Sequence, residues 1–221
     1  MAMSALPMSF AKMYRLDQAG SENKNPHAAR LTRRAPGNVP YVVDNLWEWS
    51  RPEGFPSRRH CVCASPSTQL AQQLGGTGDG RVFTIENLVG AKVAQIPQQD
   101  ARYHPDATSL HKTLVKLLDP AWIGGNEYVG EKLAIAPLWM PCLPRDKAEA
   151  LFKDYQRLAD IEQDLRDAIE FWRDTQLVSS GPDWPFADGE IFFEAASWCL
   201  TWFSDPNLAI PCQTAIKHCR S

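Results

Sequence analysis

The sequence predicts an α+β protein, and three observations carry that prediction. Short stretches of alternating apolar and polar residues fill much of the first two thirds of the chain. Proline- and glycine-rich segments separate them. After Arg145 the pattern changes to a helical stripe, so strands come first and helices after. This reading gives an α+β domain over residues 1–144 and a helical appendage over 145–221.

Each element follows from its local pattern. In residues 10–18 (FAKMYRLDQ), Phe10, Lys12, Tyr14 and Leu16 would share one strand face. Residues 18–40 hold Gly20, Asn23, Asn25, Pro26, Pro36 and Gly37, which reads as a long polar loop with a helical turn near 27–33. Residues 41–59 gather four aromatics, three arginines and two prolines. Residues 60–65 (HCVCAS) read as a strand, and Ser65 or Ser67 can cap a helix over 67–74. The GGTGDG turn at 75–80 lacks the spacing of a dinucleotide fingerprint. Residues 81–86 and 91–96 read as strands, 108–118 as an amphipathic helix, and 126–136 as a strand bent at Gly130.

Beyond Arg145, Leu151, Tyr155, Leu158, Leu165, Ile169 and Trp172 recur at helical spacing, which predicts a helix of about six turns. Residues 189–203 (GEIFFEAASWCLTWF) form a nearly all-apolar run, expected as a second, buried helix packed on the first.

Composition excludes several classes. The 221 residues are 44% hydrophobic and 22% charged, an ordinary globular balance rather than a disordered one. A net charge of -3 gives no global basic field for holding duplex nucleic acid. No apolar run reaches the roughly 20 residues that span a bilayer, and the first residues carry no secretory pattern. A cytoplasmic protein without membrane contact is therefore expected. Its six cysteines (Cys61, Cys63, Cys142, Cys199, Cys212 and Cys219) then read as reduced, small apolar residues. The metal alternative would join His60, Cys61 and Cys63 to His218 and Cys219, but no CxxC pair supports it, and no metal is expected. His104, between Asp100 and Asp106, reads as a solvated loop histidine.

Four pieces could carry chemistry. Tyr14-Arg15 places a guanidinium fork on the first strand, suited to a phosphate or carboxylate. Trp47 to Arg59 mixes rings with guanidinium groups. Cys63-Ala64-Ser65-Pro66-Ser67 ends a strand in small hydroxyl residues ahead of a helix. Asn126-Glu127-Tyr128-Val129 sets a carboxylate at the start of a late strand. Each has an ordinary structural use. Arg15 could pair with Asp17 or Glu22, Ser65 could cap, and Trp47 and Trp49 would share one strand face and bury together. Arg51, Arg58 and Arg59 could form a solvated basic loop.

In order and spacing, these pieces over residues 10–137 resemble the mono-ADP-ribosyltransferase superfamily, which includes many bacterial toxins. The resemblance rests on an aromatic-Arg pair (Tyr14-Arg15), a Ser-x-Ser-like motif before a helix (Ser65, Ser67) and a later glutamate (Glu127). The central motif is Ala-Ser-Pro-Ser rather than Ser-Thr-Ser, and the last is Asn-Glu-Tyr-Val-Gly-Glu rather than Glu-x-Glu, which leaves the acceptor open.

The resemblance implies a split, mainly antiparallel β-sheet core and transfer of ADP-ribose from NAD to a protein or nucleic-acid acceptor. It also implies release of nicotinamide, a toxin or effector role with an inhibitor or immunity partner, and delivery into another cell. Glu127 would be the catalytic carboxylate, with Glu131 and Glu190 as alternatives. Arg15, Asn45, Trp47, Arg51 and Ser65 would bind NAD: Arg15 at the pyrophosphate or ribose, Asn45 at the carboxamide, and Trp47, Trp49 or Phe55 by stacking. The alternative is a non-enzymatic interaction module that uses the Trp-rich helical region.

Overall fold

A computed structural model of the protein describes residues 10–17, 37–75 and 80–203. Most of the loop expected at 18–40 (residues 18–36), most of the GGTGDG turn, His218, Cys212 and Cys219 lie outside the described residues. The architecture is mixed α+β with two antiparallel sheets. One sheet has the order β1-β3-β7, from β1 (Met13–Asp17), β3 (Arg81–Val89) and β7 (Ser197–Trp202). The other has the order β2-β6-β4-β5, from β2 (Val62–Ala64), β6 (Ile191–Glu194), β4 (Lys92–Gln95) and β5 (Gln176–Leu177). An isolated antiparallel bridge between Tyr14 and Ser65 links β1 to the end of β2.

The strands expected at 10–18, 60–65, 81–86 and 91–96 appear as β1 to β4. The helix expected at 67–74 is α2 (Thr68–Leu74), and Ser67 caps it by accepting a hydrogen bond from the Leu70 amide. The helix expected at 108–118 is α3 (Asp106–Leu117).

Three expectations are corrected. Residues 189–203 are not a helix: they form β6 and β7. An unbroken apolar run fits a strand buried on both faces as well as a buried helix, and aromatic side chains favour the strand. Ile191, Phe192 and Phe193 are fully buried between β2 and β4. Phe192 packs into a core under the helices, while Phe193 packs on the other side with Met13, Ile85 and Trp198. The segment after residue 145 thus completes both sheets.

Residues 126–136 are not a strand. They hold α5 (Val129–Ile135), entered through Tyr128 in the left-handed region at φ 58. Glu131, Lys132, Leu133 and Ala134 are good helix formers, and only Ile135 is buried, so local propensity outweighs the short alternation.

The stripe from 151 to 172 is divided among α6 (Arg145–Asp154), α7 (Gln156–Ala168) and α8 (Phe171–Asp174). Tyr155 leaves the helical region at φ -112, ψ 110. The break lets α6 pack on α1 (Tyr41–Ser50) and α7 on α3.

Helix α1 also changes the reading of Trp47 and Trp49. Two residues apart in a helix point roughly 200° apart, not to one side. Trp47 accordingly stacks on Phe171 and Trp49 on Phe152, each with ring centroids 4.0 Å apart. Pro52 follows the helix, and Arg51 takes the extended backbone that a residue before proline prefers. The short helix α4 (Pro120–Gly124) follows α3.

Phe171→Ala should cost about 3–5 kcal/mol in urea unfolding, because it removes a buried ring that Trp47, Trp172 and His104 all touch. Ser67→Ala should cost about 1 kcal/mol by loss of the cap.

Candidate functional site

A cleft of about 310 Å³ opens beside the Tyr14–Ser65 bridge. Tyr14, Arg15, Arg58, Cys63, Ser65 and Glu190 line it, with Asp44, Asn38, Asp100 and the end of α2 completing the wall. Its floor is set by strand register. The Tyr14 amide donates to the Ser65 carbonyl and the Ser65 amide to the Tyr14 carbonyl, both at 2.8 Å. Across the other edge of β2, Ala64 pairs with Ile191. The next antiparallel step brings Ser65 opposite Glu190. Tyr14, Ser65 and Glu190 therefore follow one another across three adjacent chain segments, and Arg15 is the next residue along β1.

Two glycines permit the close approaches around this cleft. A Cβ on Gly75, at the end of α2, would overlap the Leu16 side chain of β1. A Cβ on Gly189 would overlap the Ile96 carbonyl, so this glycine lets the chain reach Glu190 against the end of β4.

The guanidinium of Arg15 is positioned from both sides. Its Nε donates to Asp17 Oδ2 at 3.0 Å and its Nη1 to the Cys63 carbonyl at 2.8 Å. The expected pairing with Asp17 and a place in the cleft thus coexist. Ser65 is buried with its backbone fixed by the bridge, and Ser67, not Ser65, is the helix cap.

The three candidate carboxylates separate. Glu190 lines the cleft and is buried. Glu127 and Glu131 are exposed, one ahead of α5 and one in its first turn, and neither lines the cleft. Glu190 Oε2 accepts from Arg58 Nη1 at 3.1 Å and from the Ala101 amide at 2.9 Å. Its backbone is held as well: its amide donates to the Gln98 carbonyl and its carbonyl accepts from the Ile96 amide. Burial opposes the Arg58 charge, yet the Glu190 carboxylate, acting together with Cys63 and Cys61 and through its hydrogen bond, holds the guanidinium above its ordinary pKa.

Of the remaining candidates, Asn45 and Trp47 sit in the core and Arg51 is half-buried just past α1. Asn45 donates to the Leu138 and Met140 carbonyls and accepts from Arg59 and the Leu143 amide, so its amide group is committed to internal partners. Trp47 donates to Asp106 at 2.9 Å within the helical core. Arg51 pairs with Glu48 and donates to the Phe55 carbonyl. None of the three lines the cleft. Trp49 and Phe55 pack on Phe152 and Trp172 respectively.

The basic patch is not a solvated loop, since Arg58 and Arg59 face inward onto carboxylates. Arg59 is 2% exposed and bonds Asp44 at 2.7 Å. Burial pushes the Asp44 carboxyl above its ordinary value, with Arg59 pulling the other way.

His104 is likewise not solvated. It is buried, its Nδ1 accepts from the Asp106 amide, and its Nε2 meets Asp174 at 3.2 Å. Among the described residues no group of three His, Cys, Asp or Glu side chains could hold a metal ion, and no helix is long and apolar enough to cross a membrane.

Comparison of the chain with protein-family models, with curated proteins and with solved structures finds no match. Its chemistry is therefore read from the cleft itself. Arg15 and Arg58 line it together with two buried carboxylates, Glu190 and Asp44, and a third carboxylate, Asp100. The sequence pattern missed Arg58 as the partner of Glu190. The signal was Gly189-Glu190 at the head of a buried apolar run, where a carboxylate needs a partner.

Burial pushes the Cys61 thiol well above its ordinary pKa. Iodoacetamide at pH 8 should therefore label Cys61 in the folded protein far more slowly than half-buried Cys63, and at comparable rates in denaturant, as read by peptide mass spectrometry. Arg59→Met should cost about 3–5 kcal/mol in denaturant unfolding, because it strands the Asp44 carboxylate.

Proposed function

We propose that this protein transfers ADP-ribose from NAD to a macromolecular acceptor, with Glu190 as the carboxylate at the reacting ribose. The observation that carries the reading is that Arg15, Ser65 and Glu190, from three different parts of the chain, line one cleft. The reading also draws on the resemblance of Tyr14-Arg15 and Ser65-Pro66-Ser67 to the motifs of that superfamily, and on a pair of antiparallel sheets joined beside those motifs.

In this reaction the bond between the ribose C1 and the nicotinamide nitrogen breaks. The bonding pair leaves with nicotinamide, which becomes neutral, and positive charge develops on the ribose ring. An anion fixed beside that charge lowers the barrier, since it needs no reorganisation as the charge appears. Glu190 fills that role. Arg15 holds the pyrophosphate, and buried Ser65 braces the strand junction between them. The acceptor then bonds to C1 and gives up its proton, for which the same carboxylate is the nearest base. A toxin or effector role inside a cytoplasm belongs to the same reading.

Release of free nicotinamide from NAD tests it. Glu190→Gln should lower the rate about 100-fold, Arg15→Ala should raise KM for NAD, and Glu127→Gln should retain activity. A wild-type protein that releases no nicotinamide sinks the proposal. Loss in Glu127→Gln with retention in Glu190→Gln would return the role to Glu127.

A further inference from the structure

The sequence pattern gives Arg58 no partner, yet among the described residues it is the one side chain with a salt bridge to Glu190. Its own side chain is 13% exposed, and its guanidinium lies 5.6 Å from the Phe171 ring centroid and 5.4 Å from that of Phe192. Those rings fix the guanidinium plane from the core side, and the cation–π contact compensates part of the lost hydration.

Among the described residues, Arg58 and the Ala101 amide both bond Oε2 of Glu190, and no bond is made to Oε1. Two donors on one oxygen fix the rotation of the carboxylate and leave the second oxygen without a hydrogen bond from the described residues. A single donor would leave the group free to turn.

We propose that Arg58 is a positioning residue, which clamps Glu190 Oε2 so that Oε1 faces the reacting ribose. This inference rests on the transferase reading of the cleft. Arg58 acts through Glu190 and does not itself bind the dinucleotide. Its loss should therefore lower kcat and spare the binding of NAD. Lysine keeps the cation but not the planar fork, so it should restore part of the loss.

The experiment measures kcat and KM for nicotinamide release in the wild type, Arg58→Met, Arg58→Lys and Glu190→Gln, each checked for a cooperative thermal transition. Arg58→Met should lower kcat about 10- to 100-fold with KM for NAD changed less than about twofold, and Arg58→Lys should fall between it and the wild type. Folded Arg58→Met with wild-type kcat, or a loss wholly in KM, overturns the inference while leaving the transferase reading intact. So does folded Arg58→Lys no better than Arg58→Met, which also decides the matter if the methionine variant fails to fold. A wild type that turns over no NAD overturns the reading and this inference together.

Discussion

The cleft depends on two hydrogen bonds, the reciprocal pair between Tyr14 and Ser65. Each is a backbone bond worth only about 1 kcal/mol net, so their importance is geometric. They tie the first strand of one sheet to the residue just past a strand in the other. That tie sets Arg15 beside the end of β2, and the register of β2 on β6 then sets Glu190 beside Ser65. Three residues separated by 50 and by 125 positions along the chain meet because two strand registers are fixed, each to a single residue.

The surroundings of this junction are unusually charged for an interior. Asp44 with Arg59 and Glu190 with Arg58 form two buried ion pairs side by side, reached from successive arginines. Arg58 and Arg59 are the central residues of a turn closed by the His60 amide on the Ser57 carbonyl, and from it one guanidinium reaches Asp44 of α1 and the other Glu190, just ahead of β6. Asn45 ties the first pair to the turn at Leu143, and the Ala101 amide ties the second to the short turn Ala101–Tyr103. Buried pairs of this kind contribute little net stability, because desolvation offsets attraction. Their effect is to fix which way each group points. For Arg59 and Asp44 the result is a fixed wall between core and cleft; for Glu190 it is a carboxylate held at the same cleft.

The sequence made some of this legible. Alternation found β1 to β4, and the Ser67 cap marked the start of α2, because in both cases the local signal and the tertiary demand agree. It was misleading where a central strand reads as a helix: Ile191-Phe192-Phe193 is buried on both faces, and periodicity vanishes when both faces are apolar. That error concealed the meaning of Glu190, which as a helix-opening residue needed no further explanation. The opposite error at 126–136 gave Glu127 a strand to stand on, when the segment is an exposed short helix. Trp47 and Asn45 look like ligand contacts in a list of residue types. Only helical geometry sends the one onto Phe171 and the other to the carbonyls of Leu138 and Met140.

Hydrogen–deuterium exchange with and without saturating NAD tests most directly whether one junction of two sheets is where a dinucleotide sits. Slowed exchange should appear together in peptides spanning Tyr14 to Asp17, Cys63 to Gly75 and Gln98 to Ala101, with no change in the peptide spanning Asn126 to Leu133. Protection confined to that last peptide, or no protection anywhere, would contradict the account.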